Sequence, residues 1–68
     1  MKVYILTREP YHENSTICDA YTSLEAAEAA AGEPMRRDGY YVKKWGCVSE
    51  AVEDHDHYIP LVWERELL

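Results

Sequence analysis

Phenylalanine is absent from this chain of 68 residues, which holds only three glycines, three prolines and two cysteines. Each scarcity removes a class of explanation. Gly32, Gly39 and Gly46 stand apart from one another, so no glycine-rich loop exists to cradle phosphate groups. Cys18 and Cys47 form no C-x-x-C motif; in a reducing cytosol two such distant cysteines read as small buried hydrophobes, and a disulfide would require an oxidising compartment. No apolar run approaches the eighteen or so residues of a membrane span. Met1 to Leu6 is followed at once by Thr7-Arg8-Glu9, too soon for the central region of a signal peptide, so the expected location is cytoplasmic. The sequon Asn14-Ser15-Thr16 would matter only in a secreted chain. Basic residues are few as well, seven against thirteen acidic ones for a net charge of −6. That balance disfavours direct binding to nucleic acid, where affinity comes from Lys and Arg releasing counterions.

What is present describes one small globular domain, 1–68. A chain this short must use its apolar residues fully to offset the cost of ordering the backbone, which leaves little interior for an enclosed active-site cavity. Residues 2–8 alternate as a strand covered on both faces, and Glu9 to Ser15 carries Pro, Asn and Ser without periodicity, as the loop of a wide hairpin. Thr16 to Tyr21 reads as a second strand. Thr22 and Glu25 stand in the T-x-x-E relation of a capping box, with Ser23 as the competing N-cap, and Gly32 and Pro34 close the helix that follows. Leu24, Ala27 and Ala31 form its inner stripe, with Ala26 and Ala30 beside it. Met35 to Gly39 reads as a return loop, Tyr40 to Trp45 as a third strand that Cys47-Val48 extends, Ser49 to Glu53 as a short helical turn, and Tyr58 to Trp63 as a fourth strand. Pro60 then suits an edge, a bulge or a strand start, and Glu64-Arg65-Glu66 leads into solvent. The expected fold class is α+β: a small antiparallel sheet of about four strands in β-β-α-β-β order, with one helix at about 23–32 packed on one face and the other face partly open.

The junction Tyr21-x-Ser23-x-Glu25-x-Ala27, between a hairpin and a Tyr-rich segment, resembles small β-β-α-β-β proteins of bacteriophages and their hosts across residues 1–45. Those proteins have no agreed activity. The resemblance implies a context instead, that of a short accessory protein which binds and modulates a host protein.

Four chemical readings compete. Six tyrosines and two tryptophans suit half-wet surfaces that bind proteins, with Tyr11, Tyr41, Tyr58 and Trp63 as candidate partner-binding residues. The plainer alternative is that Tyr4, Tyr21, Tyr40, Trp45 and Trp63 build the core and sheet surface. The acidic residues Glu25, Glu28, Glu53, Asp54 and Asp56, joined by Asp19 and Glu50, would suit a decoy that occupies a nucleic-acid-binding groove. His55 and His57 would point to one side of an extended segment and, with His12, form the candidate zinc site; a solvated acidic turn is the simpler account. An open sheet face or edge would also suit a symmetric homodimer. Catalysis is not expected: Ser15, Ser23 and Ser49 lack nucleophile-elbow glycines, Cys18 and Cys47 lack a positioned histidine, and no carboxylate has an evident desolvating pocket. The sequence favours a non-enzymatic protein-binding module with an unidentified protein partner and no cofactor.

Overall fold

In the computed structural model, which describes residues 1–10, 16–53 and 58–67, the first and last strands of the chain pair at the middle of a single sheet. Strands β1 (Lys2–Pro10), β2 (Thr16–Tyr21), β3 (Met35–Arg36), β4 (Ser49–Ala51) and β5 (Tyr58–Glu66) lie in the order β2-β1-β5-β4-β3, every neighbouring pair antiparallel. Among the described residues two helices complete the α+β architecture, α1 (Leu24–Ala31) and α2 (Tyr40–Trp45). Among the described residues no helix is long and apolar enough to cross a membrane.

Alternation along β5 assigns the helices to opposite faces of the sheet. Val62 meets Leu6 of β1 and the buried Ala27 and Ala31 of α1, with Tyr4, Tyr21, Leu24, Met35 and Val48 packed around them. Ile59 and Leu61 turn the other way and join Cys47 and Ala51, against which Tyr41 and Val42 of α2 pack together with Met35 and Trp63. The alanine stripe lets α1 lie close to the sheet, while Ala26 and Ala30 remain exposed. Cys47 is buried, and the Trp63 indole N–H donates to Thr7 Oγ1 at 2.9 Å across the β1–β5 pair.

The cap of α1 falls to Ser23 instead of Thr22. Ser23 is extended (φ −138°, ψ 151°) and its Oγ accepts the Ala26 N–H at 3.1 Å, the third-position amide that a serine N-cap satisfies. At the far end Gly32 adopts φ 75° and donates its N–H to the Ala29 carbonyl, the left-handed closure for which glycine carries no steric cost.

Five segments depart from the sequence reading. Tyr40–Trp45 is a helix and not the third strand. Its strand-forming residues are overridden by i, i+4 contacts, Tyr40 with Lys44 and Tyr41 with Trp45, and by the burial of Tyr41 and Val42 on one side of a turn. The second face of the sheet is therefore partly covered. Met35–Arg36, read as loop, forms the short strand β3, and Ser49–Ala51, read as a helical turn, forms β4 between β3 and β5. Cys47-Val48 precedes β4 instead of extending a strand from Tyr40. The last strand also runs on through Glu64-Arg65-Glu66, which pair with Tyr4, Val3 and Lys2.

Pro60 thus sits inside a central strand, buried. Val62 turns its carbonyl towards the β4 side, where it accepts from the Val48 N–H at 2.8 Å, so by alternation the nitrogen of Pro60 faces the same side. The β4 register ends at Glu50 opposite Leu61. The nitrogen of Pro60 therefore lies one residue past the last pair of that register.

Candidate functional site

The N-terminus of α2 is built around a buried carboxylate from another element. Gly39 is the N-cap residue and offers no side chain to the free amides of the first turn. Glu50, from β4 and only 1% exposed, takes that role: its Oε1 accepts the Val42 N–H at 3.0 Å, and its Oε2 lies 3.6 Å from the Arg36 guanidinium on β3. Gly39 approaches so closely that a Cβ there would overlap the Glu50 carboxylate. The third-position amide, the buried anion and the arginine together fix where α2 begins.

From that anchored start α2 carries three aromatic rings in sequence. Tyr40 and Tyr41 meet edge to face at 5.2 Å between centroids, and Tyr41 lies against Trp45 at 4.7 Å. Tyr41 is half-buried in the second core cluster, whereas Tyr40 is 56% and Trp45 46% exposed. The Lys44 ammonium donates to the Tyr40 hydroxyl at 2.8 Å and lies 5.2 Å from the centre of its ring. That hydrogen bond raises the Lys44 pKa above the usual lysine value. Lys43 is exposed beside it. Two exposed rings and two ammonium groups therefore share one rigid helical turn and a half.

A second polar cluster ties α1 to the opposite end of the sheet. Arg37 holds Glu28 through two hydrogen bonds, Nε to Oε2 at 3.1 Å and the terminal nitrogen to Oε1 at 2.7 Å, and also lies 3.7 Å from Glu25. The fully buried Ser49 donates its hydroxyl to Glu28 Oε2 at 2.7 Å. The Arg37 hydrogen bonds, more than Ser49, hold the Glu28 carboxyl below the usual carboxylate range against the opposing effect of burial. The Ser49 hydroxyl and Arg37 both donate to the Glu28 carboxylate, so the cluster has the form of a clasp between elements.

Of the residues singled out by sequence, Tyr11, His12, Asp54, His55, Asp56 and His57 lie outside the described residues. The zinc reading rests on them. Among the described residues no group of three or more His, Cys, Asp or Glu side chains comes together to hold a metal. Tyr58 and Trp63 are half-buried on β5 and Tyr41 on α2, and Tyr41 and Trp63 pack against the same core cluster. The acidic set is divided: Glu28 and Glu50 are engaged by Arg37 and Arg36, Glu25 is exposed but also near Arg37, and Glu53 is exposed. Tyr40 and Trp45, which the plainer alternative counted among the residues building the core and sheet surface, lie on a helix and are 56% and 46% exposed. The signal for this was the spacing of Tyr41, Val42 and Trp45, i, i+1 and i+4, between Gly39 and Gly46.

No protein-family model matches the chain, and neither the curated proteins nor the solved structures contain a significant match to it.

Proposed function

We propose that the protein is a non-enzymatic accessory module that binds another protein through the α2 surface, with Tyr40 and Trp45 as its anchors. The observation that carries this reading is the pair of exposed rings on a helix whose start is fixed by Glu50 and whose third ring, Tyr41, is seated in the core. Tyr and Trp bring large contact area with few rotatable bonds, and rings already stacked lose little freedom on docking. Lys43 and Lys44 favour a partner whose rim around the aromatic contact is acidic. The resemblance of residues 1–45 to small phage proteins makes a host protein, met in the cytoplasm, the natural partner.

The test compares the tagged wild type with a Tyr40→Ala, Trp45→Ala double variant as bait in bacterial lysate, with bound proteins identified by mass spectrometry. One partner in stoichiometric amount, retained by the wild type and lost by the variant while its circular dichroism is unchanged, is the expected result. A folded variant that keeps the same partner, or a wild type that retains none, ends this reading.

A further inference from the structure

The two edges of the sheet are unequal. At one side β3 is only two residues long, too short to template another strand, and α2 follows it directly. At the other side β2 runs for six residues and, among the described residues, pairs with β1 alone, so no described strand meets the backbone groups of its outer edge. An edge of this length is the ordinary route by which a second copy adds to a sheet.

Asp19 lies in the middle of that edge. It is exposed, and its Oδ1 accepts the N–H of the next residue, Ala20, at 2.8 Å. β1 fills the inner side of β2, so the carboxylate meets this amide at the outer edge, on the line where an incoming strand would place its carbonyl. The register supplies a second device at the same place. Asp19 is opposite Leu6 while Ile17 is opposite Thr7, so one extra residue of β2 is inserted between them, and a bulge of this kind bends and twists an edge away from flat pairing. We propose that Asp19 keeps the β2 edge from pairing with a second copy of this chain, by occupying the Ala20 amide and by placing a negative charge where two antiparallel β2 strands would bring like charges together.

Light scattering after size exclusion, over a range of protein concentrations, tests this with three variants. The wild type is expected to be monomeric. Asp19→Ala frees the amide and removes the charge, and is expected to shift to dimer or larger species at concentrations where the wild type does not. Asp19→Asn keeps an oxygen that can accept the Ala20 N–H, and is expected to stay closer to the wild type. Adding Ala20→Pro to Asp19→Ala removes the amide itself and is expected to restore the monomer. A wild type that is already dimeric, or an Asp19→Ala variant as monomeric as the wild type, overturns the proposal. Hydrogen exchange on the wild type gives a readout independent of any variant: the Ala20 amide is expected to be protected, and exchange at the rate of an open-edge amide overturns the proposal equally. Neither measurement involves α2, so the two functional readings stand or fall separately.

Discussion

At Gly39 the constraint is purely steric: φ is −85° and ψ −175°, a conformation open to any residue, yet a Cβ would overlap Cδ and Oε1 of Glu50. The carboxylate has nowhere to go, because it is buried and held by the Val42 amide and Arg36. Gly39→Ala is accordingly expected to cost about 1–3 kcal/mol, the range for forcing extra volume into a packed site, measured by urea unfolding. Glu50→Ala is expected to cost a similar amount by orphaning a helix-start amide, and Glu50→Gln less, since it retains an acceptor for Val42. If Glu50→Ala unfolds at the same urea concentration as the wild type, the carboxylate is not what starts α2.

The contrast between the helices shows what sequence can convey about elements. Every determinant of α1 lies within its own run: the serine before it, the alanine stripe, the glycine after it. Its position was therefore readable to within a residue, and only the choice between Thr22 and Ser23 needed coordinates. Ser23→Ala is expected to lower stability by about 1 kcal/mol, as loss of an N-cap does, whereas Thr22→Ala is expected to stay within about 0.5 kcal/mol of the wild type; comparing their thermal midpoints checks the assignment. The determinants of α2 are divided between its own six residues and Glu50, which belongs to a strand of three residues without usable periodicity. Tyr40, Tyr41 and Val42 favour strands by local preference, and nothing near them in the chain announces the distant carboxylate. The exposure of Tyr40 and Trp45 was hidden for the same reason, because a period of two and a period of 3.6 send side chains in different directions. Pro60 was similarly opaque: its place inside a central strand depends on where the neighbouring ladder stops.

For the molecule as a whole, acidity is partly neutralised by clasps between elements, and the Glu28–Arg37 pair links α1 to the segment after β3. With its pKa held below the usual value of about 4.5, Glu28 binds a proton less readily in the folded chain than in the unfolded one. Its contribution is then fully present above that usual value and is lost as pH falls through the lower, folded value. Glu28→Gln is expected to be less stable than the wild type at neutral pH, with the gap narrowing on acidification below about pH 4.5, as followed by thermal melts across pH. A gap independent of pH would mean that Glu28 acts through packing and not through charge.

The sheet order also fixes a sequence of events in time. β1 and β2 are joined by a short connection and can zip together early, but the inner side of β1 is completed only by β5, in a register that pairs Lys2 with Glu66 and Leu6 with Val62. Closing that pair spans nearly the whole chain, and such non-local closure, not the fast winding of α1, governs how quickly a small domain folds. The inner side of β1 is expected to stay unpaired until β5 joins it, and the two halves of the core, which both include β5 residues, are then expected to form together.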